Sequence, residues 1–168
     1  MPKDKQPLTV ADIAAILEIE ARRHAPEEVY AAVDRLAQRV LGHRLFTVMR
    51  QIAGAAEVER TYSSNTKAYP VGGRKQKQGT AWGEKVLDRG EVFIAPDADA
   101  LRATFADHEL IFSLGIGSIM NVPISHGGRV LATMNVSGEA GQYRDADIPT
   151  AKVLGGLLAP VLLTSARD

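Results

Sequence analysis

The chain has 168 residues and a mass of 18.1 kDa, the size of a single domain. Its 20 Lys and Arg balance its 20 Asp and Glu, which argues against a nucleic-acid binder that relies on bulk positive charge. Cysteine is absent, which excludes disulfides, thiolate metal sites, thiol catalysis and thioether-linked cofactors.

Residues 1–8 read as a loose polar arm rather than an apolar leader, and the plain expectation is a cytoplasmic protein. Thr9 suits an N-cap, with Asp12 in the first turn, and Val10, Ile13, Ala14, Leu17 and Ala21 share one face. The spacing predicts a helix over 10–23. Pro26 opens a second helix that carries Val29, Val33, Leu36 and Val40 and stops at Gly42. Residues 44–52 and 58–63 read as strands around a turn at Ala53-Gly54-Ala55-Ala56. Residues 64–79 form a long polar loop with Tyr69-Pro70-Val71-Gly72-Gly73 and the basic run Arg74-Lys75-Gln76-Lys77. That run reads either as a solvated face or as a mobile lid that closes on an anion. Thr80 caps a helix over 81–89, stopped by Gly90. A short strand at 91–95 and two short helices at 98–106 and 107–114 follow. Strands at 118–124 and 129–136 flank the turn His126-Gly127-Gly128. Asp147 caps a last helix in which Pro160 forces a kink or an early end; Gly155, Gly156 and Pro160 also keep its apolar run from reading as a membrane span. The order α-α-β-β-α-β-α-β-β-α with short turns predicts an α+β fold around a largely antiparallel sheet.

The stretch Gly115-Ile116-Gly117-Ser118-Ile119-Met120-Asn121-Val122-Pro123-Ile124, with Gly127-Gly128-Arg129-Val130-Leu131-Ala132-Thr133-Met134-Asn135-Val136, resembles the last hairpin of a GAF domain. The Val-Pro-Ile strand end, the glycine turn and Asp147 before the closing helix match that pattern; Ala132 stands where the family often has glycine. The element order extends the resemblance over roughly residues 26–164, and residues 60–83 look like those of a stand-alone GAF subgroup. The resemblance implies a PAS-related, GAF-like central antiparallel sheet of about five to six strands. Terminal helices would pack on one face, and mid-chain helices and loops would enclose a ligand pocket on the other. Residues 1–25 would be an arm and amphipathic helix that make a homodimer contact; residues 26–168 would be a single GAF-like domain.

For the site, the alternation of Arg60, Tyr62 and Ser64 puts them on one strand face, where a guanidinium and two hydroxyls could hold a carboxylate or phosphate. A solvated strand face is the competing reading. Ser118 and Asn121 on one strand and Asn135 on the next are polar residues in apolar strands that need partners, from ligand or protein. Tyr69, Lys75, Trp82 and Phe105 are further candidate ligand contacts, Trp82 as a stacking wall or simply as packing. The methionines, Met49 among them, read as core. Imidazole titrates near neutrality, so His108 with Asp107 would be the acid–base pair if the chain is an enzyme; otherwise Asp107 is a helix cap and His108 a surface residue.

Two functions stay open beside a third reading, a structural or regulatory subunit that binds no ligand. One is a small-molecule-binding sensor for a small anionic or aromatic metabolite, which would signal through a partner. The other is a cofactor-independent enzyme acting on a small carboxylate by hydrolysis, isomerisation or elimination. Neither needs a metal, a cofactor, nucleic acid or a membrane. The cysteine-dependent sulfoxide reductase and bilin-attaching members of the resembled family are excluded, and the Asn-Lys…Phe…Asp-Glu pattern of its cyclic-nucleotide binders is missing. No Walker-type phosphate loop is present, and His43, His108 and His126 fall on separate elements.

Overall fold

The computed structural model describes residues 4–76 and 79–165. Helices α1 (Val10–Ala21) and α2 (Pro26–Val40) precede strands β1 (Leu45–Gln51), β2 (Glu57–Ser63) and β3 (Arg74–Gln76). A single turn, α3 (Ala81–Gly83), widens into a π turn over Glu84–Asp88. Strand β4 (Phe93–Ala95), helices α4 (Ala98–Thr104) and α5 (His108–Ser113), and the hairpin β5 (Ser118–His126) and β6 (Arg129–Gly138) follow. A 3-10 turn at Asp145–Asp147 leads into α6 (Ile148–Gly156) and α7 (Ala159–Ser165). The six strands form one antiparallel sheet in the order β3-β2-β1-β6-β5-β4.

Alternation along the central strands divides the molecule into two layers. Phe46 and Val48 of β1, Met120, Val122 and Ile124 of β5, and Ala132, Met134 and Val136 of β6 face α1, α2, α6 and α7. Those helices supply Ile16, Val29, Val33, Leu36, Leu154, Val161 and Leu162 to the same core. The opposite face meets the mid-chain segments, where Trp82, Val86, Leu101, Phe105 and Ile111 pack with Leu45, Ile116 and Ile119. The expected α+β architecture is therefore present, with terminal helices on one side and mid-chain elements on the other. Among the described residues no single helix is long and apolar enough to cross a membrane.

Local signals account for most boundaries. The Thr9 hydroxyl accepts from the Asp12 backbone N–H, and the Asp12 carboxylate accepts from Thr9 N–H, a reciprocal cap on α1. Thr80 caps the helical turn at Trp82 with its hydroxyl alone, accepting from Gly83 N–H. Several expectations are corrected. The N-terminal arm is tied down from Lys5 onward: Lys5 Nζ donates to the Asp147 carboxylate at 2.8 Å and Gln6 N–H to Arg39 C=O at 3.2 Å. Asp147 does not cap α6 with its side chain; it accepts from Arg144 N–H and Lys5 instead. The break expected at Pro160 is present: the last helix is two helices, with Pro160 in the first turn of α7, where its missing N–H costs nothing. The expected loop over 64–79 contains an edge strand, β3, paired with Glu57–Glu59 of β2. Lys77 of the basic run lies outside the described residues.

One irregularity changes the site. In the pairing of β1 with β2, Val48 faces Tyr62 but Met49 faces Arg60, so Thr61 is an extra residue. Such a bulge reverses the alternation beyond it. Arg60 points to the mid-chain layer, whereas Tyr62 turns to the helical layer. There its ring stacks on Tyr30 with centroids 5.7 Å apart and its hydroxyl donates to Asp34 at 2.8 Å. Burial, then the Asp34 carboxylate, pushes the Tyr62 hydroxyl well above its ordinary pKa. Replacing Tyr62 with Phe is expected to lower stability by about 1 kcal/mol, the usual net value of one hydrogen bond, in urea unfolding. An unchanged midpoint would show that this bond does not help fix the orientation of β2.

Candidate functional site

The mid-chain elements do not close completely on the sheet. Between them lies a narrow cleft of about 60 Å³. That is room for about two waters, so a metabolite-sized ligand enters only as the mid-chain segments or the cleft side chains move apart. The floor is the sheet: Thr47 and Met49 from β1, Arg60 from β2, Asn121 from β5, and Thr133, Asn135 and Ser137 from β6. Phe105, Ile111 and Ile116 form much of the roof, with Trp82, Tyr69, Lys75 and Asp107 around them.

The floor carries a polar row that crosses three strands. Thr47 is the register partner of Asn135, and Asn135 of Asn121. Trp82 Nε1 donates to Asn121 Oδ1 at 2.9 Å, Asn121 Nδ2 to Asn135 Oδ1 at 2.7 Å, and Asn135 Nδ2 to Thr47 Oγ1 at 3.2 Å. The indole N–H can only donate, so it fixes which way each amide faces down the row. The buried amides thus have protein partners for these bonds.

A second network spans the mouth. The Asp107 carboxylate accepts from the Tyr69 hydroxyl and from Lys75 Nζ, both at 2.9 Å. This joins β3 and the 64–73 segment to the start of α5. Burial alone would raise the Asp107 pKa; the hydrogen bond and charge of Lys75, with the Tyr69 hydroxyl, outweigh it and hold the group below its ordinary value. Burial, then the Asp107 charge, pushes the Tyr69 hydroxyl up. Arg60 is 5% exposed; burial depresses its pKa, partly opposed by Tyr69 and Asp107.

Arg60, Tyr69, Lys75, Trp82, Phe105, Asp107, Asn121 and Asn135, all singled out in the sequence, line the cleft together. Four others do not. Tyr62 is on the far side of the sheet because of the bulge. Ser64 is exposed past the end of β2, its hydroxyl accepting from Phe46 N–H at 2.9 Å. Ser118 lies on the Met120 face, and its hydroxyl donates to Glu139 C=O at 2.6 Å. His108 lies outside the lining, with Nδ1 2.9 Å from Phe105 C=O and its ring near Phe112. Asp107 meets Tyr69 and Lys75 rather than the imidazole, and its side chain does not cap α5. Thr47, Met49, Thr133 and Ser137 are cleft residues that the sequence reading left out. The signal for Thr133 was available, since it alternates with Asn135; Thr47 needed the β1–β6 register. Among the described residues no cluster of His, Asp or Glu could hold a metal ion.

The ionised Asp107 contributes stability above the unfolded carboxylate pKa of about 3.9. That contribution is lost as pH falls through its lower folded value. Urea midpoints of the wild type and Asp107→Asn should therefore differ at neutral pH and converge in acid; a constant gap would show that the Lys75–Asp107 contact does not depend on charge.

A profile of the GAF domain family matches residues 6–162. No functionally curated protein matches the sequence. The GAF domain of A. aeolicus Nlh2, solved in an inactive state, superposes with a TM-score of 0.69 at 19% identity, covering 95% of this chain and 96% of that one. The GAF domain of a phosphoenolpyruvate-protein phosphotransferase from Coxiella burnetii gives 0.73 at 16% identity over 94% and 95%. Residues 122 to 287 of a methyl-accepting chemotaxis protein give 0.66 at 15% identity over 91% and 95%. These likenesses extend to the whole fold but not to a shared ligand. With residues 6–162 matched and the sheet and both layers reproduced, the chain belongs to the GAF domain family, a family of ligand-binding and sensing folds.

Proposed function

We propose that this GAF domain binds a small anionic or aromatic metabolite in the cleft between the sheet and residues 60–113. The observation that carries the reading is the cleft itself: an apolar roof set over a hydrogen-bonded polar row, with a buried cation at one side. Apolar walls supply affinity and a few fixed polar groups supply orientation, which is the usual composition of a small-molecule site. Arg60, Tyr69, Lys75, Trp82, Phe105, Asn121 and Asn135 are the contacts, joined by Thr47, Thr133 and Ser137. Trp82 and Phe105 give a flat ligand aromatic surface to pack on.

The protein works as a homodimer through α1 and the C-terminal helices. Support comes from α1, whose Val10 is 83% and Leu17 51% exposed while Ile16 is buried against the core. Light scattering at high concentration should give twice the chain mass, and Leu17→Glu should halve it; a monomeric wild type overturns the dimer.

Binding is tested by thermal unfolding against small carboxylates, aromatic acids, amino acids and nucleotides, with mass spectrometry of each ligand afterwards. A ligand at about 100 times its dissociation constant should add roughly 2.7 kcal/mol, several degrees for a chain of this size. It should be recovered unchanged. Thr133→Phe, which drives a ring into the cleft, should weaken a true ligand at least about tenfold, beyond the about 1–3 kcal/mol that overpacking itself costs. Stabilisation untouched by Thr133→Phe would place binding elsewhere. Consumption of the ligand would make the protein an enzyme.

A further inference from the structure

The motif Tyr69-Pro70-Val71-Gly72-Gly73 folds back along β2 and is moulded around one side chain. Arg60 N–H donates to Gly73 C=O at 2.9 Å, and Gly72 N–H donates to Arg60 C=O at 2.8 Å. Arg60 Nη1 donates to Pro70 C=O at 3.0 Å, and the guanidinium carbon lies 4.9 Å from the centre of the Tyr69 ring. At Gly73 the constraint is space rather than backbone angle, and it falls on the movable end of Arg60. A Cβ there would stand 2.6 Å from Arg60 Nη1 and 3.3 Å from Pro70 O.

The turn holds the guanidinium without neutralising it. Among the described residues its one hydrogen-bond acceptor is the Pro70 carbonyl, and no carboxylate lies within ion-pair distance. Arg60 Nε is buried and has no hydrogen-bond partner. Asp107, the acid of the cleft, is already bound to Lys75 and Tyr69. Since Lys75 and Asp107 cancel, the cleft keeps one uncompensated positive charge. A buried charge without a counter-ion is costly, and a guanidinium fork matches a planar oxyanion.

A second donor lies on the same face of the sheet, on the neighbouring strand. Arg60 is the register partner of Met49, and Thr47 is two residues along β1 on the same face. The polar row ends on Thr47, whose oxygen accepts from Asn135. Its own proton has no acceptor within hydrogen-bond distance among the described residues, and it borders the same cleft as Arg60.

We propose that Arg60 and Thr47 together form a receptor for one planar oxyanion, so that the ligand of this cleft is a monocarboxylate with an apolar or aromatic body. The proposal rests on the reading of the cleft as the ligand site. It narrows the ligand to a single negative charge: a second would face Asp107, and an ammonium would have to displace Lys75 from that group.

Trp82 is the sole tryptophan and lies in the cleft wall, so its fluorescence reports occupancy directly. The probes are benzoate and phenylacetate, their neutral amides, and phenyl phosphate, titrated into the full chain at constant ionic strength. The carboxylates should bind at least about tenfold tighter than their amides, as befits a charge-assisted hydrogen bond. Arg60→Met should abolish that preference, bringing the acids down to the level of their amides, and should make the unliganded protein more resistant to urea. Arg60→Lys keeps the charge but loses the fork, and should also lose about tenfold. Thr47→Val and Gly73→Ala should each weaken the carboxylates several-fold and the amides little, which tests the receptor even if a variant at Arg60 does not fold. Equal binding of acids and amides, undiminished carboxylate binding by Arg60→Met, or tighter binding of phenyl phosphate than of benzoate would overturn the proposal. Amides that shift Trp82 emission with no advantage for acids would refute the oxyanion receptor and leave the cleft as a ligand site. Silence of Trp82 to every probe would count against both.

Discussion

The pairing of β1 with β2 slips at Val48 and Met49, leaving Thr61 without a partner across the ladder. The opposite sidedness of Arg60 and Tyr62 depends on that slip. Without it, Arg60 and Tyr62 would share a face. One layer would then hold both a guanidinium and a phenol, and the other would lose the hydroxyl that anchors Asp34. With it, Tyr62 joins Tyr30 and Phe46 in the helical core, with ring centroids 5.7 and 5.8 Å away, and Arg60 alone enters the cleft. The bulge also lets Thr61 give its hydroxyl to the Val48 carbonyl at 3.2 Å, so the irregular residue is itself tied to the neighbouring strand.

The cleft side of the sheet is organised by directionality. A row of amides could face either way, and an isolated pair of asparagines would exchange orientations. Trp82 removes the ambiguity because indole offers no acceptor. The order of donors and acceptors then runs from α3 across β5 and β6 to β1, and ends on a hydroxyl. Apolar residues surround the row, so each link lies in a poorly screened medium where an unmade hydrogen bond is expensive. The row therefore restrains the relative positions of three strands and the roof segment as well as presenting polar atoms.

Much of the fold was legible because two signals agreed: periodicity placed the helices and strands, and caps and glycines placed their ends. Thr9, Thr80, Pro26 and Gly42 all stand where the sequence puts them. The site was legible in its residue types but not in its sidedness. Strict alternation grouped Arg60 with Tyr62 and Ser64, and no local feature of Glu57–Ser63 announces the extra residue. Strand register is a long-range property, so Thr47 could not be matched to Asn135 from either segment alone. The 64–79 loop shows the same limit: Arg74–Gln76 has no strand signature, and it is extended because β2 offers it an open edge. His108 stood out by chemistry, yet its ring lies against Phe112 and the Phe105 carbonyl, a packing relation that residue type does not reveal.

The two outermost strands, β3 and β4, are each three residues long. An edge so short presents very few free backbone groups to an approaching chain, and β3 adds Arg74, held 3.3 Å from Glu59 and 3.7 Å from Glu57. Short, charged edges are how sheets resist pairing with foreign strands. Parting the mid-chain layer to admit a ligand would uncover a face of the sheet, not an edge, and only edges carry unpaired backbone groups. With both flanks blunted, the sheet offers little template for an added strand even then.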